Sequence, residues 1–386
     1  MVSKVAIFTG TRAEYGLLYW LIRDIKDNPA LDLRLIVSGM HLSPEFGETW
    51  KQIVLDGFEI DAKVEMLLSS DTAVGVVKSM GLGLLGFAEA LERIAPDVLV
   101  VLGDRFEALA VVQAALIMKI PVAHIHGGEI TEGAYDDAIR HAISKMSILH
   151  FVAAEPYRQR VIQMGEDPVR VFNVGAIGLD HVKRGEFLSL EALSQSLYFK
   201  IVSPFMLVTY HPVTLAEEDP EQSFCALLDA LDSFPDRQVI ITYPNADNGG
   251  RRIISLIEKY AAANVGRVLA IPSLGFKRYL STLRYASVVV GNSSSGIIEV
   301  PSFGLPTVNI GSRQRGRLAA ETVIHCDPVT DAIRQAITLA LSEEFSGKCK
   351  HAENPYGQGE ASQKIVQQLI KFDGSTSKKF YDLDLL

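Results

Sequence analysis

The chain has 386 residues, 48% of them hydrophobic, which is enough for two separate cores of ordinary domain size. Its formal net charge of −9 at pH 7 argues against a general nucleic-acid binder, because such proteins need a basic face. The three cysteines, Cys225, Cys326 and Cys349, are widely spaced and match no disulfide framework or zinc motif. They predict reduced thiols in a cytoplasmic protein.

The sequence also gives no reason to expect a membrane partner. The chain enters an apolar run directly after Met-Val-Ser-Lys, which is not the pattern of a signal peptide. The longest apolar stretch, residues 108–118, is interrupted by Gln113 and is too short to cross a bilayer.

Short apolar runs alternate with longer amphipathic segments, which is typical of parallel sheets covered by helices on both faces. The predicted strands of a first domain are residues 5–9, 33–37, 98–102, 122–126, 149–153 and 171–174. Those of a second domain are residues 205–209, 238–242, 268–271, 287–290, 307–310 and 323–326. We predict an α/β fold with domains at residues 1–182 and 205–358, a connection at 183–204, and a C-terminal helix and tail at 359–386 that packs back on the first domain.

Polar residues follow the first predicted strands, at the sheet edge where open parallel sheets bind ligands. The turn at residues 10–16 carries Arg12, which suits a phosphate or carboxylate, but it lacks the Gly-Lys-Ser/Thr ending of a Walker A loop. Gly103-Asp104-Arg105 follows the strand at 98–102. An Asp at that place is most often a plain helix N-cap, so Asp104 has a structural as well as a functional interpretation.

Further titratable residues follow the strand at residues 122–126. His124 and His126 are expected on one face of that strand and Glu129 comes next, a group that could ligate a metal but lacks a clear third and fourth ligand set. We expect no metal. Asp136 and Arg140 stand four residues apart on a helix face, where the ordinary interpretation is a surface ion pair.

The second domain carries a matching set of polar segments. His211 follows its first predicted strand and Asn245 follows its second. Arg313 and Arg317 lie in an arginine-rich loop that is typical of an anion-binding site. The segment Gly291-Asn-Ser-Ser-Ser-Gly-Ile-Ile-Glu299 follows a buried strand. Its backbone N–H groups and the hydroxyls of Ser293 and Ser294 suit a diphosphate, and Glu299 suits the paired hydroxyls of a ribose. A Ser-capped helix is the alternative.

One glycine motif resembles a dinucleotide-binding loop but is not expected to be one. Residues 81–86 fit G-x-G-x-x-G but follow the helix-like residues 71–80 rather than a strand. Close helix packing explains these glycines better than a dinucleotide loop.

Taken together, the motifs at residues 9–16, 103–105, 124–129, 139–141, 211–212, 291–296 and 309–317 resemble the hydrolysing UDP-N-acetylglucosamine 2-epimerases. The resemblance runs in order over nearly the whole chain. It implies the glycosyltransferase-B type of fold, two Rossmann-like doubly wound domains with the active site in the cleft between them. It also implies a UDP-sugar substrate, no cofactor, and a homo-oligomer, either a dimer or a tetramer.

The implied reaction converts UDP-N-acetylglucosamine to UDP and N-acetylmannosamine, toward sialic acid. A similar branch of the family acts on UDP-2,4-diacetamido-2,4,6-trideoxyglucose, toward legionaminic-type acids, and sequence alone does not separate the two substrates. Two further alternatives are a retaining glycosyltransferase of the same fold and a non-catalytic UDP-sugar sensor. The many acids in the first domain suit proton transfer rather than the glycosyltransferase, and the effect of Asp104→Asn would separate the enzyme from the sensor.

The resemblance also implies roles for individual residues. Asp104 and Asp136 would be proton carriers, and Arg140 would orient an acid or the substrate. UDP contacts would come from Arg12, His211, Asn245, Ser293, Ser294, Glu299, Arg313 and Arg317. One departure concerns His126, which stands where some members have a Glu with an assigned catalytic role. Either His126, which can move a proton near neutral pH, or Glu129 would replace that Glu.

Overall fold

The computed structural model describes residues 3–70, 72–131, 135–202, 204–212, 219–244 and 250–383. The chain divides into two compact units, Met1–His181 with Tyr356–Leu386, and Val182–Pro355. Each unit contains an all-parallel sheet with helices, so the predicted α/β fold with two doubly wound sheets is confirmed.

The first unit is built on a sheet that, in the described residues, has seven parallel strands in the order β3-β2-β1-β4-β5-β6-β7. Its strands are β1 (Ser3–Thr9), β2 (Leu31–Ser38), β3 (Ala62–Val64), β4 (Val98–Leu102), β5 (Val122–Ile125), β6 (Leu149–Val152) and β7 (Val171–Asn173). Successive side chains of a strand point to opposite faces, so β1 sends Val5 and Ile7 into one core and Ala6 and Phe8 into the other. Strand order reverses between β1 and β4, which is where such sheets bind ligands.

Helices cover both faces of this sheet. They are α1 (Arg12–Lys26), α2 (Trp50–Leu55), α3 (Ala73–Ile94), α4 (Phe106–Ile117), α5 (Tyr135–Met146), α6 (Glu155–Gln163) and α7 (Asp180–Arg184), which ends across the unit boundary. The strand β3 was not predicted from the sequence, because three residues interrupted by the exposed Lys63 give too short a pattern.

Helix α3 contains the whole G-x-G-x-x-G segment, so the dinucleotide loop is excluded as predicted. A Cβ on Gly83 would lie 2.8 Å from Met66 Cε, and one on Gly86 would lie 2.7 Å from Val64 Cγ1. These glycines let the helix approach the β3 region closely. In the described part of the chain α3 is also the one helix long and apolar enough to cross a membrane, by length and composition only. Its Phe87 and Leu91 are fully buried in the core of the unit.

The second unit has, in the described residues, six parallel strands in the order β10-β9-β8-β11-β12-β13. They are β8 (Phe205–Thr209), β9 (Val239–Thr242), β10 (Val268–Ile271), β11 (Ala286–Gly291), β12 (Thr307–Ile310) and β13 (Val323–Cys326). The order reverses between β8 and β11, so the ends of these two strands form the switch point of this sheet.

The helices of the second unit are α8 (Leu190–Leu197), α9 (Pro220–Leu231), α10 (Gly250–Ala263), α11 (Gly275–Leu283), α12 (Ser295–Ile298), α13 (Thr330–Ala340) and α14 (Glu343–Cys349). Residues 183–204, which the sequence suggested as a connection, fall within this unit and contain α8. Leu193 and Leu197 of α8 pack in the same core as Leu207 of β8, so the segment is part of the domain.

The chain then returns to the first unit. Helix α15 (Ala361–Lys371) packs against α1, and Asp180 accepts hydrogen bonds from the N–H groups of Ala361 (2.8 Å) and Ser362 (2.7 Å). A carboxylate at this position satisfies N–H groups that the first turn of a helix leaves without partners.

Candidate functional site

The loop after β1 is closed by a capping box. Thr11 Oγ1 accepts from Glu14 N, and Glu14 Oε2 accepts from the N–H groups of Gly10 (2.7 Å) and Thr11 (3.0 Å). Those two donors are therefore taken by the protein itself. The group of this loop that remains for an anion is the exposed side chain of Arg12, the first residue of α1.

Glu14 and Glu107 are buried beside the partly exposed Arg105. Arg105 donates through Nε (3.1 Å) and Nη2 (2.9 Å) to Glu107, whose side chain is fully buried. Burial raises the pKa of Glu14 to about 7, against the hydrogen bond from Gly10 and the charge of Arg105. Glu14 can therefore gain or lose a proton near neutral pH.

Asp104 does not act as a helix cap. The N-cap of α4 is Arg105, with no side-chain cap, and Asp104 Oδ2 instead pairs with Nη2 of Arg140 from α5. Arg140 also donates to Thr131 Oγ1 (3.0 Å) and lies 3.9 Å from Asp137. Its side chain is only 5% exposed, so the surface ion pair that the i, i+4 spacing suggested is wrong.

Asp136 lies close enough to Asp104 for their charges to interact. Burial and the charge of Asp104 raise the pKa of Asp136, while Arg105 and Arg140 lower it. The structure thus brings together two carboxyl groups with different environments, one ion-paired and one with a raised pKa. Such a pair is suited to moving protons in two directions.

The two histidines of the third motif point in different directions. Strand β5 ends at Ile125 and His126 has a left-handed φ of 65°, so the expectation that His124 and His126 share one strand face is wrong. His124 Nε2 donates to Gly103 O (2.7 Å), and burial lowers the pKa of His124 to about 3. It is a neutral, fully buried support for the loop that carries Asp104.

His126 and Glu129 form a pair. His126 Nδ1 lies 3.0 Å from Glu129 Oε1, and His126 Nε2 accepts from Ile177 N (3.3 Å). Both ring nitrogens of His126 are therefore occupied. In the described part of the chain, no cluster of three or more His, Cys, Asp or Glu side chains is placed to hold a metal ion.

In the second unit, His211 and Asn292 connect the ends of β8 and β11. His211 N donates to Asn292 Oδ1 (2.7 Å) and Asn292 Nδ2 donates back to His211 O (2.8 Å). Burial, then the charge of Arg313, lowers the pKa of His211 to about 4, so its ring is neutral at pH 7. A neutral imidazole can donate one hydrogen bond to an anion without adding a charge.

The serine segment after β11 begins at a backbone position that only glycine fits. Gly291 has φ 139°, and a Cβ there would lie 1.9 Å from Thr209 O. Ser293 and Ser294 are half-buried and open α12, which is only four residues long. Its dipole is small, so an anion here would rely on hydroxyl and N–H groups rather than on a long helix.

Glu299 lies one turn further, with its N–H donating to Ser295 O (2.9 Å). Tyr279, whose hydroxyl lies 2.5 Å from Ser295 Oγ, has its pKa raised by burial and by the charge of Glu299. The charge of Glu299 is therefore near enough to Tyr279 to affect its hydroxyl.

The arginine loop also reaches this segment. Arg313 Nη1 (3.0 Å) and Gln314 Nε2 (2.9 Å) both donate to Asn292 O, so the loop after β12 is tied to the loop after β11. The structure thereby groups His211, the serine segment and Arg313. Arg317 is half-buried in the same loop, and Asn245 lies outside the described residues.

Sequence reasoning missed several members of these groups. Glu14 had a readable signal, the Thr-x-x-Glu spacing of a capping box. Glu107 pairs with Arg105, two residues before it, but nothing in that spacing predicts its burial. Tyr279 carries no local signal, because its partner Ser295 lies 16 residues further along the chain.

Comparisons with known proteins identify the family. The sequence model of the family described as UDP-N-acetylglucosamine 2-epimerase matches residues 23–370. The chain is 40% identical to a Campylobacter jejuni protein named GDP/UDP-N,N'-diacetylbacillosamine 2-epimerase (hydrolyzing), over 98% of this chain and 99% of that one. It is 38% identical to a Legionella pneumophila UDP-N,N'-diacetylbacillosamine 2-epimerase (hydrolyzing), over 96% of each chain.

The fold matches as well. A crystal structure of UDP-GlcNAc 2-epimerase from Neisseria meningitidis, bound to UDP-GlcNAc, superposes with a TM-score of 0.82 at 22% identity, covering 96% of this chain and all of that one. Because the family match spans most of the chain and two relatives are similar over nearly their whole length, the chain belongs to the UDP-N-acetylglucosamine 2-epimerase family of enzymes.

Proposed function

We propose that the protein is a hydrolysing 2-epimerase that acts on UDP-2,4-diacetamido-2,4,6-trideoxyglucose, the sugar nucleotide of N,N'-diacetylbacillosamine. The products would be UDP and the free diacetamido sugar inverted at C2. The similarity at 40% and 38% identity to hydrolysing diacetylbacillosamine epimerases favours this substrate over UDP-N-acetylglucosamine. The observation that carries the chemistry is the pairing of Asp104 with Arg140 beside Asp136.

The reaction requires elimination of the diphosphate. The hydrogen on C2 is not next to a carbonyl, so its direct removal would leave a carbanion without stabilisation. When the C1–O bond breaks as the C2 proton leaves, negative charge collects on the departing UDP instead. Water then adds at C1 of the 2-acetamidoglycal, and a proton returns to C2 from the opposite face.

Asp104 and Asp136 are the two proton carriers in this proposal. Asp136, whose pKa is raised, is the group suited to deliver a proton. Asp104, which pairs with Arg140, is the group suited to accept one. Arg140 orients Asp104 from α5. Its positive charge helps to keep the ionisation states of the two acids different.

His126 and Glu129 would support this site. Both ring nitrogens of His126 are engaged, by Glu129 and by Ile177 N. We therefore propose that the pair fixes the loop after β5, and that Glu129 rather than His126 takes the role of the Glu found in other members.

The second unit would hold the leaving group. Arg313, His211 and the hydroxyls of Ser293 and Ser294 would contact the diphosphate, and Glu299 the ribose hydroxyls. Arg12, Arg317 and Asn245 complete the proposed UDP contacts. The groups at the diphosphate act on charge that grows as UDP leaves, which lowers the barrier rather than merely binding the substrate.

The substrate proposal is tested by offering the purified enzyme both UDP-sugars and comparing kcat/KM. We expect the diacetamido sugar to be preferred by at least about 100-fold, because a site built for a 4-acetamido group leaves polar atoms unpaired when a hydroxyl replaces it. The GDP form of the same sugar is the third arm, since one relative is named for both nucleotides. A preference for UDP-N-acetylglucosamine would overturn the choice of sugar.

The same assay separates the other functions. A retaining glycosyltransferase would leave most of the UDP-sugar intact when no acceptor is added. For a non-catalytic sensor, Asp104→Asn would change nothing, whereas the epimerase proposal expects lost turnover with UDP binding retained.

We also infer a homo-oligomer in the cytoplasm. Three free cysteines suit a reducing compartment. On α3, Val77 (67%) and Leu85 (70%) are exposed, and so is Ile117 (81%) on α4, the helix that packs against α3. Exposed apolar groups of this kind mark interaction sites, and a second copy is the proposed occupant. Val77→Glu with Leu85→Glu should reduce the mass measured by light scattering to that of a monomer, and Leu55→Glu on α2 should not.

A further inference from the structure

After α15 the chain runs as a tail along the first unit. The described part of this tail contacts the C-terminal end of α5. Lys378 Nζ donates to Lys145 O (2.6 Å) and to Ser147 O (2.7 Å). The last carbonyls of a helix have no intrahelical donor, and a lysine ammonium there satisfies them and interacts favourably with the helix dipole. Lys378 therefore closes α5 from a site 231 residues further along the chain.

A buried carboxylate holds Lys378 in this position. Glu166 is 2% exposed and pairs with Lys378 (2.5 Å), Lys145 (2.8 Å) and His150 (2.9 Å). Burial raises the pKa of Glu166, but hydrogen bonds from these three partners hold it at about 2. The carboxylate stays charged and keeps the two lysines together, and the Lys378 side chain is only 25% exposed.

The backbone of the tail is seated as well. Phe380 lies over Gly165, where a Cβ would come within 2.4 Å of the ring, and Tyr381 N donates to Gly165 O (3.0 Å). Lys145 Nζ lies 4.5 Å from the centroid of the Phe380 ring. These contacts fix residues 378–381 against Lys145 at the end of α5 and against Gly165 just after α6.

The helix that the tail closes is the one that carries the candidate acid and its arginine. Asp136 and Arg140 lie in the first half of α5, and Arg140 pairs with Asp104. Ser144, the residue before Lys145, has its Oγ 3.0 Å from His124 Nδ1, and the other ring nitrogen of His124 donates to Gly103 O. The end of α5 is therefore connected to both sides of the Asp104 loop.

We propose that Lys378 is a positioning residue for the epimerase reaction: by closing α5 it fixes Asp136 and Arg140 against Asp104. This inference rests on the proposed function. Lys378 does not contact the proposed site itself, so its removal should alter the rate of the chemical steps rather than UDP binding, which is assigned to the second unit.

The first test compares full-length Lys378→Met with the exposed neighbour Lys379→Met. We expect Lys378→Met to lower kcat about 10-fold, because small displacements of catalytic groups are costly, while KM and UDP affinity stay within about twofold. Lys379→Met should behave like the wild type. Lys378→Arg should restore most of the rate, since a guanidinium can also donate to two carbonyls and pair with Glu166.

The second test needs no substrate. Amide hydrogen exchange of residues 141–147 should become about 5-fold faster in Lys378→Met and Phe380→Ser, and stay unchanged in Lys379→Met. Unchanged exchange, or a kcat equal to that of Lys379→Met, would overturn the inference. If the wild type turns over no sugar nucleotide, the proposed function fails, and the exchange result still decides whether Lys378 holds α5.

Discussion

The ion pair between Asp104 and Arg140 gives the sharpest quantitative prediction. A fully buried pair broken by removing one partner costs about 3–5 kcal/mol, and an exposed pair about 0.2–1 kcal/mol. Arg140 is 5% exposed and Asp104 24%, so Arg140→Met should cost about 2 kcal/mol of unfolding free energy. For a unit of this size that lowers Tm by about 4–8 °C.

The assay is a double-mutant cycle followed by thermal unfolding. Asp104→Asn with Arg140→Met should recover about 1–2 kcal/mol relative to the sum of the single changes, because neither charge is then left alone. The double variant should regain stability but not turnover, since Asp104 is assigned to proton transfer and Arg140 to orienting it. A coupling below about 0.3 kcal/mol would mean that the pair does not form and would refute this description of the site.

Three further predictions concern single positions. Asp136→Asn should abolish turnover and raise Tm at pH 7–8, because the raised pKa of Asp136 disfavours its charged form in the folded state. The gain in Tm should shrink as pH falls toward the ordinary carboxyl pKa of about 4. A gain in Tm that is constant with pH would contradict the pKa shift. Gly291→Ala should lower unfolding free energy by about 3 kcal/mol or more, since the new Cβ would meet Thr209 O at 1.9 Å, whereas Gly347→Ala, with no atom within 4 Å, should change it by less than about 1 kcal/mol in denaturant titrations. Glu299→Gln should weaken UDP about 10-fold by calorimetry with kcat nearly unchanged, because a lost charge-assisted hydrogen bond contributes about 1.5 kcal/mol, and equal loss in kcat would contradict a role limited to the ribose.

Most of the fold follows from local sequence patterns. Buried parallel strands need continuous apolar runs, and residues 98–102, 205–209 and 307–310 were predicted with the bounds that the structure gives to β4, β8 and β12. The pattern fails where packing decides. Strand β3 is too short to show a period, and α8 at residues 190–197 hides its buried Leu193 and Leu197 among polar residues.

The site was only partly readable from the sequence. In this fold class ligands bind beyond the carboxyl ends of the strands, so the segments around Asp104 and His211 could be found from the sequence. Their partners could not, because Asp104 meets Arg140 across 36 residues and His211 meets Asn292 across 81. The left-handed φ of His126 likewise depends on its neighbours Ile177 and Glu129. With this φ the His126 side chain points away from the direction that strand alternation predicts.

The central claim is elimination of the nucleotide followed by hydration, and heavy water tests it directly. The enzyme is incubated with UDP-2,4-diacetamido-2,4,6-trideoxyglucose in D2O, and the released sugar is examined by NMR and mass spectrometry. The mechanism predicts UDP and a C2-inverted sugar carrying one deuterium at C2. Released sugar with hydrogen at C2, or a sugar nucleotide left intact, would contradict it.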